Sequence, residues 1–310
     1  MKYYRTIFLT LFLLALPWQT RWIIDTVLVG GDVSQYGQVS LYVFDLFLLF
    51  YLVSSRSVWT KQRLQELWNK TAYRWAIVGL VGGLAWALVS VLWSFEGMSA
   101  LSGALHLLSA GLLAMTLWLD TETRPDVVLG SLAAGLLVPS LIGWLQAWQQ
   151  VIPASSVLGI AAQDPSVLGT AVVETGGMRW LRAYGTFPHP NMMGGFAAIG
   201  LVASLIVAAR RVLRHEVLFW ATAAATAGVL VMSVSRGAWL AAALGVGVLF
   251  WGCRRVSDGP LLRSMKSTLL MACMVLVVAT LTLAPVVQTR LAGEGRIEEQ
   301  SLSVRQNQWS

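Results

Sequence analysis

Charged side chains are scarce in this sequence, since Asp, Glu, Lys and Arg make up 12% of the 310 residues. A soluble domain carries about 25% charge, and a 56% hydrophobic share leaves too little polar surface to cover such a chain. Cysteine is rare as well, and a disulfide framework is excluded because Cys253 and Cys273 are the only two. The composition therefore excludes ordinary soluble domains, secreted disulfide scaffolds and disordered chains. It predicts that most of the chain faces lipid.

Nine apolar stretches are candidates for membrane spans. A helix needs about 20 apolar residues to cross the hydrocarbon layer, and the backbone must be helical there because lipid offers no hydrogen-bond partners. The sequence therefore predicts an all-α polytopic membrane bundle of about nine transmembrane helices. The predicted spans are Tyr3–Trp18, Val39–Val53, Trp75–Trp93, Ala100–Leu119, Val127–Trp148, Asn191–Ala209, Val217–Val234, Ala238–Gly252 and Thr268–Pro285.

The distribution of basic residues predicts the orientation of this bundle. Lys2 and Arg5 precede the first stretch, and Leu16-Pro17-Trp18 offers no small-residue cleavage site, which indicates an uncleaved anchor with a cytoplasmic N-terminus. Alternating spans then place 15 of the 22 Lys and Arg residues on the inner side and 7 on the outer side, in agreement with the positive-inside rule. Cytoplasmic loops thus account for the net charge of +7, and no nucleic-acid partner is expected.

The longest outer connection before the last span, residues 149–190, leads into a segment with the features of an anion site. Pro190 and Asn191 suit the start of a helix, the first by its preset φ and the second by side-chain capping. A helix N-terminus attracts phosphate, Gly194 lets another group approach the backbone closely, and Arg182 adds a bidentate donor. The alternative is a re-entrant loop with ordinary proline and glycine turns.

A second outer segment, Ser233-Val234-Ser235-Arg236-Gly237-Ala238-Trp239, predicts a tight turn between two apolar helices. Its arginine lies almost at lipid depth, where a charge is costly unless it pairs or reaches the interface. Ser233 and Ser235 are candidates to orient the guanidinium of Arg236. The alternative is an arginine that reaches the outer phosphate layer simply as an anchor.

Together the two segments resemble the O-antigen ligase and O-antigen polymerase superfamily of bacterial inner-membrane proteins. The resemblance rests on Arg182, on Gly185-Thr186-Phe187 followed by His189-Pro190-Asn191, on Gly194, and on Ser233-x-Ser235-Arg236-Gly237 further along the chain. The order, the spacing and the predicted membrane side of these short motifs all agree with that family. The resemblance covers essentially the whole chain.

This resemblance implies a metal-independent glycan transferase of the inner membrane, which takes a polysaccharide from undecaprenyl pyrophosphate on the periplasmic face. The acceptor is lipid A–core in the ligases and another glycan in the polymerases. Arg182 and Arg236 would hold the pyrophosphate leaving group with Asn191, Gly194 and Ser235, and fixed guanidinium donors would stabilise its developing charge. No cofactor and no protein-held metal are expected, because HExxH, Cys/His clusters and an outer Asp-x-Asp are absent from the sequence.

The end of the sequence departs from the family pattern. Residues 1–285 are assigned to the transmembrane bundle, and residues 286–310 to the start of an outer loop that family members extend with further arginines, a general-base histidine in the ligases and more spans. Ser301, Arg305 and Trp309 are spaced to share one helix face, and Arg305 is a further candidate for pyrophosphate binding. The sequence therefore indicates either a fragment or a truncated relative.

His189 is the one histidine on the predicted outer side and the candidate general base, since imidazole titrates in the useful range. The alternative is that His189 caps the sixth span or contacts lipid headgroups. His106 and His215 are expected to be packing and interface residues. Asp45, in the second stretch, is expected to pair with a polar group inside the bundle or to stay protonated.

Two other functions remain open. A transporter or flippase of an anion or a lipid-linked sugar usually has paired broken helices near the bilayer midplane. Gly82-Gly83 and Pro139 interrupt two spans without forming a matched pair, and Asp45 is nearly the sole charge at that depth. The third hypothesis is a non-catalytic partner in envelope polysaccharide synthesis.

Overall fold

The computed structural model describes residues 2–26, 28–29, 32–33, 38–167, 169–210, 216–255 and 259–292, and these residues are mostly helical. The predicted all-α polytopic fold class is confirmed. The helices are α1 (Lys2–Ala15), α2 (Val43–Ser54), α3 (Lys61–Asn69), α4 (Thr71–Ser90), α5 (Gly97–Leu119), α6 (Pro125–Gln149), α7 (Pro190–Arg210), α8 (Glu216–Met232), α9 (Arg236–Arg255), α10 (Gly259–Thr282) and α11 (Ala284–Ala292).

Short antiparallel hairpins occupy the loops between these helices. Each is a two-stranded sheet, so the hairpins add no β layer to the helical bundle. The pairs are β1 (Arg21–Asp25) with β4 (Val39–Tyr42), β2 (Leu28–Val29) with β3 (Asp32–Val33), and β5 (Val172–Thr175) with β6 (Met178–Leu181).

Five helical segments of the described chain are long and apolar enough to cross a membrane, so the chain is a multi-pass membrane protein. A sixth crossing results if α10 and α11 are counted as one span, although they bend by 84° at their junction. Three apolar helices, α1, α2 and α8, are shorter. Each of the nine predicted stretches contains a helix, although the second begins with strand β4, and the count of nine spans is not confirmed. The five segments are Thr71–Trp93, Gly97–Leu119, Pro125–Gln149, Pro190–Ala208 and Arg236–Arg255.

Helix α3 is a helix that the apolar stretches do not predict. It lies in the predicted basic inner loop, and its sequence KQRLQELWN is polar. The hydroxyl of Thr60 accepts a hydrogen bond from the N–H of Arg63 at 3.3 Å and so caps its start. A search for long apolar runs passes over such a short polar helix.

The chain divides into two compact units: Met1–Ala15 with Arg21–Val128 form unit 1, and Leu16–Thr20 with Leu129–Ser310 form unit 2. In unit 1, α1 packs against α2, and α4 packs against α5. Almost all of α4 is exposed, as expected for a helix that faces lipid.

A buried ion pair joins the ends of two segments within unit 1. Arg5 and Asp120 are both buried, and Arg5 Nε lies 3.1 Å from Asp120 Oδ2. Arg5 Nη2 also lies 3.1 Å from Glu122 Oε2, so two carboxylates balance one guanidinium. This arginine is thereby a structural element of the predicted inner side.

Unit 2 is built around α7, which packs against α8, α9 and α10. Its inward residues include Ala197, Ala198 and Leu201, all nearly inaccessible to solvent. Small side chains let helices approach closely, which is the usual basis of helix packing in membranes. The predicted outer connection of this unit is folded, since β5 and β6 form a hairpin that contacts α11.

Candidate functional site

The turn between α8 and α9 is the centre of the candidate site. Ser233, Val234 and Ser235 are buried in it, and Val234 has a φ of 50°. A β-branched residue rarely adopts this left-handed conformation, which persists only where the surroundings enforce it. The turn also ends α8, and the last carbonyl oxygens of a helix need donors from elsewhere.

Arg182, directly after β6, supplies these donors. Its Nε donates to the carbonyl of Ser233 at 2.8 Å, and its Nη2 donates to Asn191 Oδ1 at 2.5 Å and to the carbonyl of Val234 at 3.4 Å. Within the described residues Nη1 makes no hydrogen bond. One edge of the guanidinium thus holds the turn. The bidentate binding of an anion predicted from the sequence would therefore need Nη1 together with a donor from a neighbouring residue.

Two further arginines meet the same turn, and we call Arg182, Arg236 and Arg290 the arginine cluster. Arg290, on α11, donates from Nε to the carbonyl of Val234 at 3.2 Å, so it shares this oxygen with Arg182. Arg236, the first residue of α9, donates from Nη1 to the carbonyl of Arg290 at 3.5 Å. The two arginines predicted from the sequence are therefore brought to one turn, with Arg290 between them.

The charge of Arg182 has no carboxylate partner within the part of the chain that the structure describes. The residue is only 5% exposed. Burial and then the nearby charge of Arg290 lower the pKa of Arg182 to about 10, which leaves the guanidinium charged at neutral pH. Like charges held together in a poorly solvated place favour the binding of an anion.

Two glutamines at the end of α6, Gln146 within the helix and Gln150 directly after it, fix the backbone on either side of Arg182. Gln150 Oε1 accepts the N–H of Leu181 at 2.7 Å, and Gln150 Nε2 lies 3.4 Å from the carbonyl of the same residue, to which it donates. Gln146 binds Gly185 in the same manner, with both hydrogen bonds 2.7 Å long. Together these hydrogen bonds from the end of α6 set the point from which Arg182 reaches the turn.

The backbone conformation and the close packing at residue 185 require a glycine. Its φ is 61°, and a Cβ at this position would lie 2.4 Å from Met193 Sδ and 2.9 Å from the carbonyl oxygen of Pro139. The glycine of the Gly185-Thr186-Phe187 motif is therefore explained by the local backbone and packing.

Helix α7 begins at Pro190, as predicted, but its cap differs from the prediction. Nδ1 of His189 accepts the N–H of Asn191 at 3.0 Å, so His189 is the capping residue. The Asn191 side chain accepts from Arg182 instead. The sequence hypothesis that His189 caps this helix is thus the one that the geometry favours.

This cap also determines what His189 offers to the site. With Nδ1 accepting, a neutral imidazole carries its hydrogen on Nε2. Burial and then the charge of Arg182 lower the pKa of His189. His189 therefore presents an N–H donor in this arrangement, and the lone pair that a general base needs is occupied by the backbone of Asn191.

Gly194 faces the turn and not an open space. A Cβ there would lie 2.7 Å from Ser233 Oγ and 3.0 Å from the Cβ atoms of Ser235 and Ala238. The predicted close approach to the backbone is thus made by the α8–α9 turn.

The serine hydroxyls of the turn do not orient a guanidinium. Ser233 Oγ donates to the carbonyl of Leu230 at 2.8 Å. Ser235 is buried, and its hydroxyl makes no hydrogen bond within the described residues. Backbone carbonyls replace the hydroxyls predicted for this role, because the turn exposes the end of α8.

An apolar cavity of about 440 Å³ lies beside the arginine cluster in unit 2. Val287 and Leu291, on the same helix as Arg290, line it, and so does Trp239, one turn after Arg236. Trp239 Nε1 donates to the carbonyl of Leu230 at 2.8 Å, which leaves the indole ring as apolar wall. The cavity is suited to hydrocarbon.

Four of the residues singled out from the sequence, His215, Ser301, Arg305 and Trp309, lie outside the described residues. Sequence reasoning gave no role to Gln146, Gln150 or Arg290. Arg290 could have been selected from the sequence, because it is an arginine on the predicted outer side, where basic residues are few. Within the described ranges, no group of three or more His, Cys, Asp or Glu residues is placed to hold a metal ion.

The chain is similar to a chromate transport protein of Cupriavidus metallidurans, with 30% identity over 166 residues. The match covers 51% of this chain and 39% of that protein, so the chain spans about two fifths of the length of this curated relative. No protein-family description matches the sequence, and no solved structure matches it.

Proposed function

We propose that this chain functions in a membrane transporter of an oxyanion, with the arginine cluster as the binding site for that anion. One observation carries the proposal: Arg182 is buried without a carboxylate partner in the described residues and lies next to the charge of Arg290. A bound anion would offset the charge of Arg182, which makes the burial of this guanidinium without a carboxylate understandable.

The donors around the cluster suit a tetrahedral oxyanion. Nη1 of Arg182 and Nε2–H of His189 are available for hydrogen bonds, and α7 begins between them, so its positive dipole end adds to the attraction. Support also comes from the relative, because its name refers to chromate transport and chromate is a tetrahedral dianion. From the charge bias of the loops, we place this site on the periplasmic side of a bacterial inner membrane.

A second candidate is transfer of a glycan from undecaprenyl pyrophosphate to lipid A–core or another glycan, as expected for an O-antigen ligase or polymerase. The apolar cavity of about 440 Å³ beside the arginines favours it, because a lipid-linked diphosphate would place its charges at the cluster and its hydrocarbon in the cavity. In both proposals Arg182 holds an anionic oxygen group.

The first test measures uptake of radiolabelled sulfate and of chromate by sealed proteoliposomes that contain the full chain. We expect uptake above protein-free vesicles, and a loss of at least about tenfold in Arg182→Gln and Arg236→Gln, since a hydrogen bond to a charged group contributes about 1.5–3 kcal/mol. Arg182 also holds the α8–α9 turn, so its replacement changes the structure as well as the charge. Arg236→Gln is therefore included as a second variant. Arg179→Gln, in the neighbouring hairpin, removes the same charge and should retain uptake.

The same vesicles, loaded with an undecaprenyl-pyrophosphate-linked glycan and an acceptor, separate the two candidates. Uptake without conversion supports transport, whereas transfer of the glycan without uptake of either oxyanion supports the second candidate. Equal activity of both arginine variants and wild type, in whichever assay is positive, would contradict the assignment of the cluster.

A further inference from the structure

A second cavity lies inside unit 1, between α2, α5 and the β1–β4 hairpin, with a volume of about 410 Å³. Its wall is largely apolar, with leucines from α2 and α5, but Asp45 and His106 also line it. Ionisable side chains inside membrane-spanning segments are costly, and they commonly mark proton relays or ion pathways. This cavity belongs to unit 1, whereas the arginine cluster belongs to unit 2.

Asp45 and His106 form a hydrogen-bonded ion pair. Nε2 of His106 lies 3.4 Å from Oδ2 of Asp45, and Nδ1 of His106 lies 2.8 Å from the carbonyl oxygen of Ser102. Both of these oxygens accept hydrogen bonds, so both ring nitrogens carry hydrogen and the ring is an imidazolium. The predicted polar partner of Asp45 is therefore His106, which the sequence suggests only as a packing residue.

The pair lies at the depth where the second apolar stretch is interrupted. His106 is the tenth residue of the span Gly97–Leu119, and a rise of 1.5 Å per residue places it about 14 Å from the start of that span. Asp45 is the third residue of α2, directly after strand β4, and the ring of Tyr42 at the end of β4 lies 5.8 Å from the ring of His106. Extended backbone at such a depth lines a cavity or is buried in protein, and interrupted spans form the binding sites of many transporters.

A purely structural role does not account for this ion pair. Oδ2 of Asp45 accepts the N–H of Tyr42 at 2.9 Å and so caps α2, but an uncharged asparagine can cap a helix equally well. A buried ion pair stabilises a fold little compared with apolar packing. The pair is also open to the cavity, since the side chain of His106 is 38% exposed and that of Asp45 is 17% exposed. The cavity has room for water molecules, which can carry protons to and from Nε2.

The other charged groups on the elements around the pair have partners of their own. Arg21, on β1, donates from Nη1 to the hydroxyl of Tyr42 at 2.9 Å, and Asp25 accepts the N–H of Thr26. Three arginines of α1, α3 and α4 bind away from the pair: Arg5 binds Asp120 and Glu122, Arg63 binds the carbonyl of Leu119, and Arg74 binds the carbonyl of Trp68. The charge that faces the imidazolium is therefore that of Asp45, with Tyr42 and Arg21 as its neighbours from the hairpin.

We propose that Asp45 and His106 are the proton-binding site that couples oxyanion transport by this chain to a proton gradient. This inference rests on the transport function proposed above. The structure holds the loaded form, with the proton on Nε2 of His106 against Oδ2 of Asp45. Release of this proton to water in the cavity leaves a neutral imidazole and an ionised carboxylate, and no other bond changes. Each cycle takes up one proton on one side of the membrane and releases it on the other.

Electrostatics connects this proton to the movement of the span. The loaded pair is neutral as a whole, whereas the unloaded pair carries one negative charge, which the apolar wall of the cavity disfavours. Rearrangement of the interrupted span is thus easier in the loaded form. A proton that moves together with the oxyanion also reduces the net charge that crosses the membrane.

Sealed proteoliposomes that contain the full chain test the coupling. Uptake of radiolabelled sulfate and chromate is measured under an inward proton gradient, and exchange of labelled for unlabelled anion is measured without a gradient. In the wild type we expect exchange, and also stimulation of uptake by the gradient, which a protonophore abolishes. Asp45→Asn/His106→Gln has the net charge of the loaded pair and no titratable group, so it should retain exchange and lose the stimulation. Asp45→Asn alone keeps an acceptor for the cap of α2 and should reduce the stimulation, because the imidazolium loses its counter-ion.

Asp25→Asn is the matched control, since it removes a carboxylate of the adjoining hairpin, keeps an acceptor for the N–H of Thr26, and should retain exchange and stimulation. Exchange by the wild type without stimulation would overturn the coupling and leave the transport function standing. Absence of exchange of both anions would contradict transport itself and the coupling with it. Stimulation that persists in the double variant would also overturn the proposal, as would loss of exchange in a double variant with an unchanged melting temperature. If the double variant does not fold, unchanged stimulation in Asp45→Asn overturns it.

Discussion

The hydrogen-bond donors and acceptors of individual residues determine what the arginine cluster can bind. The carbonyls of Ser233 and Val234 and the side chain of Asn191 occupy one edge of Arg182. The cap of α7 occupies Nδ1 of His189, so this ring also presents a donor. The site therefore offers positive charge and N–H groups, a combination suited to an anion and not to the removal of a proton.

The protonation of His189 can be measured to test this view. We expect a titration midpoint below 6.5, because burial and then the charge of Arg182 disfavour the imidazolium. Arg182→Gln removes the positive neighbour and should move the midpoint upward. NMR of ¹⁵N-labelled histidine in the full chain gives the value, with assignment from His106→Gln and His215→Gln. A midpoint above 6.5 in the wild type, or a downward shift in Arg182→Gln, would contradict the placement of His189 beside Arg182.

The arginines of this site were predictable, and the residues that hold them were not. Arg182 and Arg236 could be selected because both run against the charge bias of the loops, and Arg290 has the same signal. Gln146 and Gln150 have none, since a glutamine near the end of an apolar helix is common at membrane interfaces. Their role depends on which backbone the fold brings opposite α6, and one sequence does not contain that information.

At the scale of elements, the contact between the start of α7 and the α8–α9 turn is the joint that assembles the site. Gly194 allows the two backbones to come into contact. At the start of α7, His189 caps the helix, and the side chain of Asn191 accepts a hydrogen bond from Arg182. The strained Val234 sits in the same turn, so the joint determines where its carbonyl receives the two arginines. A change in this packing should disturb the whole cluster.

Two adjacent glycines allow a matched test of the joint. In Gly194→Ala the new methyl carbon meets Ser233 Oγ at 2.7 Å, whereas at Gly195 no heavy atom lies within 4 Å. We expect Gly194→Ala to destabilise the protein by about 1–3 kcal/mol, the usual cost of overpacking, and Gly195→Ala to leave stability nearly unchanged. Thermal unfolding in detergent measures both. Equal melting temperatures for the two variants would show that the joint can relax without cost.

Hydropathy predicted the helices better than it predicted the crossings. Each apolar stretch contains a helix, because lipid and a buried core both require satisfied backbone groups. The length of a span is a property of the structure: Val43–Ser54 is a helix whose preceding residues form strand β4, and α10 ends at a bend of 84°. Apolarity alone does not distinguish a strand or a bent helix from a straight span.

At the scale of the whole molecule, polar side chains meet in each of the two units among the described residues. Unit 2 has the arginine cluster, and unit 1 has the carboxylate of Asp45, whose Oδ2 lies 3.4 Å from His106 Nε2. The charges outside these sites follow the loops, and the inner loops hold most of the basic residues if the N-terminus is cytoplasmic. The membrane side of the arginine cluster therefore depends on this topology.

Cysteine labelling of intact bacterial cells tests the topology directly. Replacing Cys253 and Cys273 by serine gives a background without thiols, to which Ala162→Cys or Gln62→Cys is added at an exposed position. We expect a membrane-impermeant maleimide to label Ala162→Cys in intact cells and Gln62→Cys only after lysis, because the loop of Gln62 carries five basic residues, Arg56, Lys61, Arg63, Lys70 and Arg74. The reverse pattern would put the arginine cluster on the cytoplasmic side, where an undecaprenyl-pyrophosphate-linked glycan awaiting transfer is not displayed. Oxyanion transport would then be the one proposal still compatible with the site.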